Sequence, residues 1–164
     1  MSAIDIAFGI ALLAILTAVT VVDFRTLLIP DELNIALAGL GLVYQSVVMK
    51  SLPVAAIAFS VMIFASFWLF RSGYQRFRGT AGLGLGDVKM AGGSAMWFSP
   101  WNLPIFLLAA CFSALIFVVW SSLRSGGLDR AAKIPFGPFL GVGLAVTWII
   151  ERSEITTFIP NGWH

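Results

Sequence analysis

Charge is what this sequence has least of. Acidic and basic residues fill 11% of its 164 positions, against about a quarter in an ordinary soluble domain. Hydrophobic residues fill 59%, and the mean hydropathy is +0.95. A body this small leaves much of its surface exposed, so its apolar residues need lipid as the surrounding solvent. The net charge of +2 provides no basic footprint for nucleic acid. Cysteine is nearly absent. The single Cys111 lies in an apolar run, which excludes a disulfide framework and a thiolate metal cluster. The only histidine is the terminal His164, which argues against a histidine-based catalytic or metal site. A basic n-region is also missing. Asp5 is the only early charge, so the first apolar stretch reads as a retained span and not a signal peptide. With no internal repeat and no low-complexity tract, residues 1–164 read as a single polytopic membrane domain.

What is present is a set of six apolar segments: Ile4–Val22, Leu33–Met49, Val54–Phe70, Val88–Phe98, Leu103–Leu123 and Phe136–Ile150. About 20 helical residues cross the hydrocarbon core. The fourth segment is too short unless its helix starts back among the glycines before it. The sixth is short as well, with Trp148 as an interfacial anchor. The fold class expected is therefore all-α, with about six transmembrane helices.

The basic residues orient that plan. With six spans, one side receives Lys50 and Arg152. The other receives Arg25, Arg71, Arg76, Arg78, Lys89, Arg124, Arg130 and Lys133. The richer side is expected to be cytoplasmic, with both termini outside the cytoplasm. Arg71, Arg76 and Arg78 read as determinants of this orientation.

Two aspartates then fall at one depth. Asp23 ends the first segment and Asp87 begins the fourth. Alternating spans put both at the cytoplasmic edge. An ionisable group there is costly and points to function, although a lone aspartate also serves as a headgroup-region cap. Asp31, after Pro30, reads as the N-cap of the second span. Lys89 stands two residues past Asp87, within plausible reach of it.

Glycines crowd Asp87. Gly79, Gly82, Gly84 and Gly86 precede it, and Gly92 and Gly93 follow. Glycine inside a helix costs about 1 kcal/mol relative to alanine, so the cluster needs a reason. A dinucleotide loop requires a strand in front, and here an apolar span and a basic loop stand in front. Two reasons remain open: close helix packing through small residues, and irregular backbone lining a wet cavity beside the carboxylate. Two close carboxylates sharing one proton can activate water and protonate a carbonyl, which needs neither metal nor cofactor. A proton-coupled transporter is the alternative use of such carboxylates. Against it, the acids lie near one face and no repeated halves are visible.

The Gly84-Leu85-Gly86-Asp87-Val88-Lys89 stretch resembles the G-x-G-D-x-K motif of type IV prepilin peptidases. Asp23 through Ile29-Pro30-Asp31 resembles that family's D-x-x-x-x-x-I-P-D motif, and Ile134–Leu140 resembles a third family stretch. The resemblance implies a membrane aspartyl endopeptidase of the G-x-G-D class, with Asp23 and Asp87 as the catalytic pair. It implies that Gly84, Gly86, Lys89 and Asp31 support the site and that no cofactor or metal is used. The implied substrate is a prepilin or pseudopilin of type IV pilus or type II secretion systems, cut behind its short basic leader at the cytoplasmic face of the inner membrane. Many family members carry an N-terminal domain with paired C-x-x-C cysteines that methylates the product. This chain shows no such cysteines and is expected to be a peptidase-only member. Oligomeric state stays open.

Overall fold

The structure is a computed structural model that describes residues 2–79, 82–125 and 134–153. Arg130, Lys133 and His164 lie outside the described residues. Six α-helices follow one another: α1 (Ala3–Thr26), α2 (Asp31–Met49), α3 (Val54–Arg78), α4 (Leu85–Ser94), α5 (Leu103–Ser125) and α6 (Gly137–Arg152). A short 3-10 turn, Pro100–Asn102, leads into α5. No strand occurs among the described residues.

The helices alternate in direction. The start of α1 meets the end of α2 through the Tyr44 hydroxyl, which donates to Asp5 Oδ1 at 2.7 Å. The end of α6 meets that same corner, with the Arg152 guanidinium 5.0 Å from the Tyr44 ring. The opposite end gathers the end of α1 and the starts of α4 and α6. The end of α3 joins it, because Arg71 Nε donates to the Leu83 carbonyl at 2.9 Å just ahead of α4.

Hydrophobic residues cover the outside as well as the core. Ile10 and Leu13 on α1, Met62 and Leu69 on α3, and Phe112 and Ile116 on α5 are all exposed. Such a surface suits lipid and would be unusual on a soluble monomer. Helices α1 and α3 and the run Pro100–Arg124 are long and apolar enough to cross a membrane.

Helices α4 and α6 form the interior. Ten residues of α4 rise only about 15 Å, roughly half the hydrocarbon thickness. The helix does begin back among the glycines, at Leu85. A non-helical turn, Ala95–Phe98, follows it and is buried throughout. Irregular backbone is tolerated at membrane depth when protein satisfies its polar groups. Here Gln45 Nε2 donates to the Met96 carbonyl at 3.1 Å, and the Met96 and Trp97 amides donate back to Gly93 and Ser94.

Two readings change. Trp148 is no interfacial anchor: it is buried, its indole edge-on to Tyr44. Helix α3 also runs two turns beyond Phe70, so Arg71, Arg76 and Arg78 are helical.

Candidate active site

Asp23 occupies the last turn of α1 and is 3% exposed. The helix stops at Leu27, which adopts a left-handed conformation (φ 54°) and returns its N–H to the Asp23 carbonyl at 2.9 Å. The next residues fold back under the bundle and bury Ile29. One carboxylate oxygen of Asp23, Oδ2, accepts the backbone N–H of Gly137 at 2.9 Å. Gly137 is the first residue of α6, whose opening N–H groups have no partner within the helix.

Asp87 is the third residue of α4, whose N-cap is Gly84. Its carboxylate folds back over the N-terminus of the helix and lies against Gly84. Ile29 packs against both Gly86, next to Asp87, and Gly137, whose amide holds Asp23. The fold thus brings together the two aspartates that the sequence singled out, each beside the N-terminus of a central helix.

The glycines have separable jobs. A Cβ on Gly84 would stand 2.8 Å from Asp87 Oδ2. One on Gly137 would stand 2.8 Å from both Asp23 Oδ2 and Ile29 Cδ1, and one on Gly86 would stand 3.0 Å from Ile29 Cβ. Ile29 therefore wedges between Gly86 and Gly137 and spaces the start of α4, which bears Asp87, from the start of α6, which holds Asp23. Gly82 lies against the Tyr74 ring, Gly92 against Phe64 and the Ser60 carbonyl, and Gly93 against Ala38. Close packing accounts for these last three.

Asp31 is corrected. The N-cap of α2 is Pro30, and Asp31 is the first helical residue. Its carboxylate is committed to Lys89, with Nζ to Oδ1 at 2.6 Å. The pair ties α2 to α4. Lys89 is thereby directed at Asp31 and not at Asp87: two residues along a helix is a turn of roughly 200°, so the two side chains leave α4 on opposite flanks.

Gly137 and Ile29 lie inside stretches whose pattern was visible, but their roles depend on backbone atoms that no residue type announces. Arg71 was legible only as a charge. In the fold it holds the carbonyl in front of the G-x-G-D run. Among the described residues, no group of three His, Cys, Asp or Glu side chains could hold a metal ion.

A helical, lipid-facing bundle with two aspartates converging at one end defines a membrane protein whose candidate chemistry is that of a carboxylate pair. Residues 10–119, which include both aspartates, match the type IV leader peptidase family. The chain belongs to that family. It is similar to the prepilin leader peptidase/N-methyltransferase of Pectobacterium carotovorum subsp. carotovorum, with 34% identity over 82% of this chain and 48% of the relative. It is also similar to the protein of that name from Xanthomonas campestris pv. campestris, with 33% identity over 87% and 49%. A third, from Legionella pneumophila, is 30% identical over 95% and 54%. The chain spans about half the length of the curated relatives it matches. No solved structure matches it. The comparisons give no support to the transporter reading.

Proposed function

We propose that the protein is a membrane aspartyl endopeptidase that removes the short basic leader from prepilins or pseudopilins. The observation that carries this is the convergence of Asp23 and Asp87 at one end of the bundle, in a chain of the leader peptidase family. One carboxylate accepts a proton from water as that water attacks the scissile carbonyl. The other, protonated, donates to the carbonyl oxygen and then to the leaving nitrogen. Ile29, Gly86 and Gly137 set the spacing. Gly137 orients Asp23 through a backbone hydrogen bond, and Gly84, lacking a side chain, leaves room for the Asp87 carboxylate.

The chain crosses the inner membrane six times, with α4 and the buried turn Ala95–Phe98 together making the fourth crossing. Both termini face away from the cytoplasm, and the carboxylates face it. The basic residues Arg25, Arg71, Arg76 and Arg78 sit at the carboxylate end and support that orientation. The substrate carries a basic leader followed by an apolar helix and is cut at the junction. The test is cleavage of a prepilin by purified protein in detergent. Asp23→Asn and Asp87→Asn should each abolish it without loss of folding, and the double variant should be no worse, since groups acting as a unit are non-additive. Full activity in either single variant would sink the assignment.

A further inference from the structure

A cavity with a mainly apolar lining and a few polar groups lies outside the carboxylate pair. It is a cleft of about 330 Å³ between α2 and α3, floored by Gly92 and Gly93 of α4. Asn34 lines it and is 6% exposed, yet neither its Nδ2 nor its Oδ1 has a hydrogen-bond partner. A buried amide without partners is costly. One bridging water, with a share of about 30 Å³, would fill only a tenth of the space. The cleft opens sideways toward lipid, since α2 and α3 barely touch and Ile35 and Val61 on its rim are exposed. Lys89 and Asp31 stand at its upper end.

We propose that this cleft binds the stretch of substrate polypeptide just beyond the cut bond, with the Asn34 amide pairing to its backbone. The inference rests on the endopeptidase reading. The chemistry of the amide selects the occupant. Asn34 offers one carbonyl acceptor and one NH₂ donor, which is the complement of a peptide group, while an acyl chain offers neither. A peptide bond under attack lies outside helix, and the apolar helix that follows it begins with up to four unpaired N–H groups. Lipid cannot satisfy them; an amide at the same depth can.

Position agrees. Lys89 lies two residues past Asp87, about 3 Å further along α4. Asn34 lies one turn into α2 from Asp31, so the cleft starts level with the carboxylates and descends into the bilayer. It sits on the other flank of α4 from Asp87. A peptide joining the two sites therefore crosses the N-terminus of α4. There Gly84, which is exposed, and Gly86 leave no side chain in its way.

The test uses Asn34→Leu, which keeps the shape and removes the polar atoms. The KM for a prepilin with a basic leader and an apolar helix should rise about tenfold, the loss expected for one hydrogen bond. The kcat should hold within about twofold. The thermal midpoint should stay or rise, because an unpaired buried amide has gone. A merely structural Asn34 would lower that midpoint and leave KM alone, and that result overturns the proposal. A second measurement does not depend on cleavage. In the Asp87→Asn, Cys111→Ser background, Ile35→Cys should form a disulfide with a single cysteine in the first turns of the substrate's apolar segment. Phe112→Cys, exposed on α5, should not. Failure to crosslink at position 35, or equal crosslinking at 112, overturns the cleft as the binding site while leaving the peptidase reading standing. Absence of cleavage by the unmodified protein would instead count against the peptidase reading alone.

Discussion

Adding a single methyl group at Gly137 should separate the catalytic arrangement from the fold around it. A Cβ there would lie 2.8 Å from Asp23 Oδ2, 3.3 Å from its Cγ and 2.8 Å from Ile29 Cδ1. Non-bonded carbon contacts settle near 3.5 Å or more, so about 0.7 Å of clearance is missing on both sides at once. The Ile29 terminus can rotate, although the residue is buried and has little room. The Asp23 carboxylate must withdraw, and the 2.9 Å hydrogen bond from the Gly137 amide lengthens as it does so. A misplacement of about 1 Å in a catalytic group costs on the order of 100-fold in rate, so Gly137→Ala should lower kcat for leader cleavage by roughly 10- to 100-fold. Weakening a hydrogen bond to a buried carboxyl costs about 1–3 kcal/mol, so the thermal midpoint should fall but the protein should still fold. Gly141→Ala, one turn further along α6, is the control. Its Cβ would meet Leu16 and Met90 at 3.6–3.9 Å, ordinary contact distance, and alanine gains roughly 0.5–1 kcal/mol over glycine in a helix. That variant should retain activity and lose no stability. Cleavage by Gly137→Ala within about threefold of the unmodified enzyme would refute the claim that this backbone amide aims Asp23.

The Asp31–Lys89 pair is partly exposed, and such pairs contribute about 0–1 kcal/mol. Asp31→Asn should therefore reduce cleavage by less than about tenfold and shift the thermal midpoint little, whereas near-complete loss would place Asp31 in the chemistry itself. Membrane orientation is open to cysteine labelling from outside the cell in a Cys111→Ser background. A membrane-impermeant reagent should modify Lys50→Cys, at the far end of the bundle, but not Gln75→Cys, near the carboxylate end. The reverse pattern would put the carboxylates on the outer side.

The sequence made some of this legible and hid the rest for physical reasons. Apolar runs revealed α1, α3 and α5 because lipid-facing helices must be apolar along their length. Helix α4 was almost hidden. Ten residues with four glycine or alanine positions carry little hydropathy, and the helix is stabilised by burial between α2, α3 and α6 instead of by lipid. The aspartates stood out because charge is scarce. Asp31 was misplaced as a cap because Pro30 before a helix start invites that reading, and nothing local indicates that Lys89, 58 residues away, will claim the carboxylate. The hydrogen bond from Gly137 to Asp23 spans 114 residues and uses a main-chain donor, so no side-chain pattern could announce it. Asn34 shows why composition alone misleads. It reads as a polar residue near a helix start, and only the packed structure reveals that its amide is buried without a partner.

The far end of the bundle bears on the chemistry through α6. Glu151, near the end of that helix, accepts the Ser99 N–H at 3.0 Å and the Asn102 amide at 2.7 Å. Next to it, the Arg152 guanidinium sits over Tyr44, whose hydroxyl is bonded to Asp5 and whose ring stacks on Trp97 at 5.6 Å. These contacts join the end of α6 to α1, to α2 and to the turn after α4. Along its length, Gly143 lets α6 approach α5 so closely that a Cβ would stand 2.7 Å from the Phe106 carbonyl oxygen. A helix fixed at its end and along its side has little freedom to slide or roll. Its first residue supplies the amide that holds Asp23. The aim of that carboxylate is thus governed partly by contacts about 24 Å away, the length of a sixteen-residue helix. This is a rigid means of holding one half of a catalytic pair whose other half, Asp87, is fixed by its own short helix between α2 and α3.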